Sequence, residues 1–189
     1  MPNHVYLDYN ATTPVAPEVV DVMIPWFTER FWNAASAHSM GAMANDAVET
    51  ARQQVADFIG AHPNEIVFTS GSTESINLAL KGALSASPDR TGIVTVATEH
   101  KAVLDTAAWL AEQGASTCVL PVTASGEIDP ELFAGSVDEH TAVVSVMAAN
   151  NETGVIADLV VPVDAARRCG ALFHTDATQA VGRINFDVE

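Results

Sequence analysis

The sequence predicts an α/β protein, a mainly parallel sheet flanked by helices. Two features carry that reading. Short, continuous apolar runs alternate with helix-spaced stripes, and strands without polar alternation are those covered on both faces. Polar clusters follow the runs, at the strand ends where open parallel sheets bind ligands. With 189 residues, 48% of them apolar, the chain is long enough for one domain with a sizeable core.

The elements are taken in order. Residues 17–30 place Val19, Val20, Met23, Ile24 and Phe27 at helical spacing, with a kink or break expected at Pro25. Residues 39–59 carry a 3.6-residue stripe through Met43, Ala47, Val48, Ala51, Val55 and Phe58, ended by Gly60. Ile66-Val67-Phe68 reads as a short buried strand running into Thr69-Ser70-Gly71-Ser72-Thr73. A helix over 74–84 stops before Ser87-Pro88-Asp89. A strand over 93–97, a helix over 100–112 and a strand over 117–120 follow. A short helix over 130–137 opens on proline. Residues 142–147 form a continuous apolar strand, 163–168 a short helix closed by Gly170, and 172–174 the last strand. No repeat, linker or composition shift marks an internal boundary.

Eight Lys and Arg stand against 24 Asp and Glu, a net charge of −16 spread along the chain. Such a field repels phosphate backbones and speaks against a nucleic-acid partner; a solvated acidic surface or a salt-adapted host accounts for it. No apolar stretch of about 18 residues is present, so no membrane span is expected. The start, Met1-Pro2-Asn3-His4, lacks the basic stretch and apolar run of a secretion signal, and a cytoplasmic location is expected. The two cysteines, Cys118 and Cys169, lack metal-ligand spacing and lie at apolar runs, where a thiol serves as a small hydrophobe.

Four polar clusters hold the candidate chemistry. Thr69-Ser70-Gly71-Ser72-Thr73-Glu74-Ser75 opens directly into a helix. Its glycine permits close backbone approach, its amides point outward and the helix dipole favours an anion, so it suits a phosphate; an ordinary Ser/Thr cap is the alternative. Thr98-Glu99-His100-Lys101 sets a histidine at a helix start, as a cap or as a ring facing a ligand. Asn150-Asn151 before Gly154 reads as a turn or as an uncharged donor and acceptor. Asp176, at the end of a buried strand, needs a donor; a protonated pyridine nitrogen or a helix N-terminus would serve, with Gln179 one turn on. Phosphate cradle, aromatic ring, amide and acid at one sheet edge match what pyridoxal phosphate requires.

The motifs also carry a family resemblance. Tyr6-Leu7-Asp8-Tyr9-Asn10-Ala11-Thr12-Thr13-Pro14, Ile66 to Ser75, Thr98 to Leu104, Asn150-Asn151-Glu152-Thr153-Gly154-Val155 and His174-Thr175-Asp176-Ala177-Thr178-Gln179 closely resemble the NifS/IscS-type cysteine desulfurases, within class V of the aminotransferase superfamily. The resemblance implies the large-domain fold of the fold-type I pyridoxal-phosphate enzymes. Residues 1–62 would be its N-terminal strap and helices, and 63–189 its alternating strand–helix region, without the rest of the large domain or the small C-terminal domain. It assigns the phosphate to Ser72 and Thr73, ring stacking and proton transfer to His100, the ring nitrogen to Asp176, and the phenolic oxygen to Gln179. Asn151 would lie by that oxygen and the substrate carboxylate. Such enzymes convert L-cysteine to alanine and pass the sulfur, as an enzyme persulfide, to scaffold or acceptor proteins. Phe31-Trp32-Asn33-Ala34-Ala35-Ser36 departs from the family's usual Gly-Asn-Pro-x-Ser segment at Trp32 and Ala34, and Ser72 stands where Gly or Ala is common.

The family's Schiff-base lysine, nucleophilic cysteine and substrate-carboxylate arginine have no counterpart in the sequence. The chain's lysines are Lys81 and Lys101; the first lies two turns into the helix after the phosphate loop, and the second adjoins His100 on a different helical face. The chain alone is therefore expected to lack desulfurase turnover. It would act as part of an enzyme, as a homodimer in complete form or with a complementing C-terminal chain. The alternatives are an inactive desulfurase-like binding or regulatory module, or another class V enzyme such as a selenocysteine lyase.

Overall fold

The computed structural model describes residues 4–188; Met1 to Asn3, within the segment read for a secretion signal, and Glu189 lie outside the described residues. The chain divides into two compact units. The first comprises the described residues up to Phe68 with Phe186 to Val188; the second is Thr69–Asn185.

In the first unit α1 (Pro17–Thr28) starts on proline, whose missing N–H costs nothing at that position, and runs as one helix through Pro25. The Pro25 carbonyl accepts from Glu29 N at 2.9 Å and Arg30 N at 2.7 Å, which closes the helix just beyond the proline. None of the residues of α1 is buried. Helix α2 (Ser39–Ile59) is capped by His38 Nδ1, which accepts from Gly41 N at 3.1 Å, and ends at Gly60 with φ +74°. A 3-10 turn covers Pro63–Glu65.

The strand expected at Ile66-Val67-Phe68 is not formed. A strand is defined by its ladder, and no described strand pairs with this segment. Instead Arg52 Nη1 donates to the Ile66 carbonyl at 2.5 Å, and the guanidinium lies 5.0 Å from the Phe68 ring centroid. Val67 is 67% exposed, so the apolar run that suggested burial lies open.

The second unit holds α3 (Ser72–Ala86), β1 (Gly92–Val96), α4 (Lys101–Glu112), β2 (Ser116–Leu120), α5 (Pro130–Gly135), β3 (Thr141–Ser145), α6 (Val160–Cys169) and β4 (Leu172–His174). The sheet is wholly parallel, in the order β2-β1-β3-β4. Its pleat sends alternate residues to two cores. Val94, Val96, Val144 and Val146 pack with Phe133, Ala165 and Ala166 on the α5/α6 side. Ile93 and Val143 pack with Ile76, Leu80 and Val103 of α3 and α4 on the other. This is the predicted α/β architecture, a parallel sheet flanked by helices. Cys118 and Cys169 both pack against the α5/α6 core, as expected of small hydrophobes, and Cys169 Sγ lies 3.4 Å from the Val137 carbonyl.

The strand order fixes where chemistry can occur. After β1 the chain moves outward to β2, then returns to the other side of β1 as β3. The loops after β1 and β3 therefore diverge, and such a switch point opens a crevice at the carboxyl edge of the sheet.

Candidate functional site

The loop before α3 is arranged for an anion. Gly71, the N-cap, makes no side-chain cap bond, so the first-turn amides of Ser72, Thr73 and Glu74 keep their donors available. A Cβ at Gly71 would meet nothing within 4 Å; no protein atom requires glycine there. The nearby acid turns away from the cradle, since Glu74 Oε2 accepts from Ser70 N at 2.7 Å and Ser70 Oγ at 2.6 Å. Those two bonds, the hydroxyl's first, hold the Glu74 carboxyl below the usual carboxylate range. Ser72 lines an open cavity of about 450 Å³ together with Thr69, His174, Asp176 and Thr178. Thr73 is exposed on the same first turn.

The end of β4 supplies the acid. Asp176 is 8% exposed, and its Oδ1 accepts from Thr178 N at 2.9 Å. Two residues earlier, His174 Nδ1 meets Ser145 Oγ at 2.9 Å. Burial pushes the His174 pKa below its ordinary value, with Asp176 opposing. Thr95, Ser145 and His174 are register partners across β1, β3 and β4, a polar row next to the apolar row of Val94, Val144 and Phe173. Gln179 is half-buried and accepts from Arg183 Nη1 at 2.5 Å.

The switch-point crevice between the β1 and β3 loops holds the other candidates. His100 and Asn151 line one cavity of about 280 Å³ with Thr98, Glu99 and Glu152. His100 Nδ1 accepts from Ala102 N at 3.2 Å and so caps α4, which makes the cap reading correct without removing the ring from the crevice. The two asparagines differ in what they touch. Asn150 Nδ2 donates to the Thr98 carbonyl at 2.7 Å, and its Oδ1 accepts from the Glu152 and Thr153 amides; it builds the turn. Asn151 is half-buried in the cavity wall.

Ser72 and Asp176 thus share one cavity, and His100 and Asn151 share another. Glu99 carries no assigned role in the sequence. In the structure it is 6% exposed, its Oε1 accepts from Met147 N, and its Oε2 is buried without a partner. Burial pushes its carboxyl up to about 7, with the Met147 amide opposing and Asp176 adding to the rise.

The aminotransferase class-V profile matches residues 5–189, and the chain belongs to that family. Within it, the similarity is to cysteine desulfurases of the NifS/IscS type. The chain is 48% identical over 187 residues to cysteine desulfurase IscS of Dechloromonas aromatica (strain RCB), covering 97% of this chain and 46% of the relative. It is 44% identical over 191 residues to the mitosomal cysteine desulfurase of Trachipleistophora hominis, covering 99% and 43%. Among solved structures, a NifS-like protein superposes with a TM-score of 0.94 at 41% identity, covering 98% of this chain and 52% of that one. SspA in complex with cysteine gives 0.92 at 36% identity, covering 97% and 53%. The chain spans about half the length of the curated relatives it matches.

Members of this family are pyridoxal-phosphate enzymes, and the residues present fit that group. The uncapped amides at Ser72 match its phosphate, and the buried Asp176 on the same cavity matches a protonated ring nitrogen. Among the described residues, no three or more His, Cys, Asp or Glu cluster to hold a metal, and no helix is long and apolar enough to cross a membrane.

Proposed function

We propose that this chain supplies the cofactor-binding part of a cysteine desulfurase, which takes L-cysteine to L-alanine and hands the sulfur, as an enzyme-bound persulfide, to iron–sulfur scaffold or other acceptor proteins. The single observation that carries this reading is that Ser72 and Asp176 line one cavity, which thus holds both an anion cradle and a buried acid. Pyridoxal phosphate, when bound, supplies an electron sink. The amides and hydroxyls of Ser72 and Thr73 hold its phosphate, and Asp176 keeps the ring nitrogen protonated. His100 covers the ring and moves protons, Gln179 hydrogen-bonds the phenolic oxygen, and Asn151 orients that oxygen and the substrate carboxylate. The chain is read as belonging to the large domain of such an enzyme, which is homodimeric in complete form.

Turnover needs a lysine that this chain does not bring to the cavity. Lys81 Nζ sits 4.2 Å from the Trp109 ring centroid, and Lys101 Nζ pairs with Asp105 at 2.8 Å. Both lie on helix surfaces, engaged elsewhere. We therefore expect the chain to bind pyridoxal phosphate reversibly and to release no alanine from cysteine unless a complementing chain adds the lysine and the thiol. The same engaged lysines favour a second reading, a binding module that docks on desulfurases or their sulfur acceptors without catalysis.

The test is a fluorescence titration with pyridoxal phosphate, followed by borohydride reduction and dialysis. Binding that is lost in Asp176→Asn, with cofactor removed by dialysis after reduction, supports the cradle-and-acid reading. Retention of the cofactor on Lys81 or Lys101 would sink the expected inactivity, and no binding at all would sink the cofactor reading. Recovery of alanine release on adding a chain that carries the lysine and cysteine favours the enzyme over the docking module.

A further inference from the structure

We propose that Glu99 is a positioning residue of this site: its carboxyl pins the loop bearing Asn151 to the loop bearing His100 and, through space, sets the field in which a ligand beside Asp176 binds. No role falls on Glu99 from the sequence or the family resemblance. Its geometry assigns one.

Glu99 stands where the β1 and β3 loops part. Its Oε1 takes the Met147 amide, and the next amide, Ala148 N, goes to the Asp176 carbonyl at 2.9 Å. Two consecutive amides after β3 are therefore held by the two acids of the site, one through a side chain and one through backbone. Glu99 also lines the cavity shared by His100 and Asn151, whereas Asp176 lines the cavity shared with Ser72. Its carboxyl, lining one cavity, interacts electrostatically with Asp176 of the other.

The electrostatics follow from what surrounds the pair. Glu99 and Asp176 are both buried, and no Lys or Arg is buried among the described residues. Burial disfavours the charged form of His174 on β4, with Asp176 opposing. His100, Lys101 and Glu152 stand at the cavity mouth but are exposed, and Lys101 is already paired with Asp105. Two neighbouring buried carboxyls do not both ionise cheaply. Asp176 has the Thr178 amide to stabilise its charge, whereas Glu99 has one amide and a second oxygen with no partner. A proton is therefore held on Glu99 up to about neutrality. Above neutrality Glu99 ionises as well, and a second negative charge appears in the buried site beside Asp176.

The Glu99–Asp176 coupling is a property of the free chain; only its consequence for the cofactor rests on the function proposed above. The experiment separates the two. The Glu99 carboxyl is followed by ¹³C NMR across pH in the parent chain and in Asp176→Asn, and is assigned by its disappearance in Glu99→Gln. The affinity for pyridoxal phosphate is measured by fluorescence on either side of neutrality in the parent and in Glu99→Gln. The glutamine keeps an oxygen for Met147 N, so this variant retains the fold.

Glu99 is expected to titrate at about 7, mainly through burial, and to move toward the ordinary carboxylate range in Asp176→Asn. Glu99→Gln is expected to bind pyridoxal phosphate with a flattened pH dependence. A residue that only held the loop would leave that profile parallel to the parent's, and this result overturns the proposal. So does a Glu99 that titrates as an ordinary glutamate or ignores Asp176→Asn. Should Asp176→Asn fail to fold, the parent titration and the Glu99→Gln profile decide alone. Coupling without pyridoxal phosphate binding in the parent supports the Glu99 assignment and rejects the cofactor reading instead.

Discussion

Leu80 and Ile76 separate the two tasks of α3, docking on the sheet and presenting an anion cradle. Both pack with Ile93, Val103 and Val143, at 0% and 2% exposure. Buried Leu→Ala and Ile→Ala changes cost about 2–5 kcal/mol, rising with the volume of the cavity left behind. Leu80→Ala opens a void with no outlet and belongs at the upper end, about 4 kcal/mol. Ile76 borders the open cavity beside Ser72 and Asp176, so solvent enters the space it vacates, and Ile76→Ala belongs at the lower end, about 2 kcal/mol. Urea unfolding followed by far-ultraviolet circular dichroism measures both, with Leu80→Met as a control expected to cost under about 1.5 kcal/mol. Affinity for inorganic phosphate should fall in the opposite order, more for Ile76→Ala, because that change lies one turn from Ser72. Equal unfolding costs for the two variants, or a loss below about 1 kcal/mol for Leu80→Ala, would refute the docking described.

Further outcomes follow from other parts of the site. Ser72→Asp puts a carboxylate where the phosphate would sit: phosphate and pyridoxal-phosphate binding should vanish by fluorescence titration, while the melting temperature holds or rises, since an acid in the first helical turn contributes about 0.3–1 kcal/mol. Ser145→Ala strips His174 of its buried partner and should cost about 1–3 kcal/mol by thermal unfolding. Because burial lowers the His174 pKa from its ordinary 6.5, stability tied to the neutral ring is present above that value and is lost as pH falls through the lowered one. His174→Gln should flatten this acid-side loss in melts recorded across pH, and an unchanged slope would count against a buried neutral imidazole.

Much of this fold was legible because its signals are local. The stripe over 39–59 needed only periodicity and a terminal glycine, and α2 occupies that span. The last strand, Leu172 to His174, was likewise marked by its own apolar residues between a glycine and a polar cluster. What failed was non-local. Ile66-Val67-Phe68 has the composition of a strand, but a strand also needs a neighbour with free amides and carbonyls, and composition says nothing of neighbours. Glu99 was hidden for a related reason. Its importance depends on Met147, 48 residues away, and on Asp176 beyond that, and neither distance is written in a tetrapeptide. Ser145 and Thr95 each look like a polar interruption in an apolar strand until the register of β1, β3 and β4 sets them in one row with His174.

That row also bears on how faithfully the chain folds. Parallel strands of valine and isoleucine offer almost the same apolar contacts in several alignments, so hydrophobicity alone discriminates poorly among them. A slip of one residue in β4 would carry His174 to the α5/α6 side, strand its imidazole among alanines and valines, and leave Ser145 with an unsatisfied hydroxyl. The mispaired state is thereby penalised at the strand ends that build the ligand cavity. Correct alignment and a finished cavity become a single event, and a misaligned chain would be marked by its failure to bind an anion.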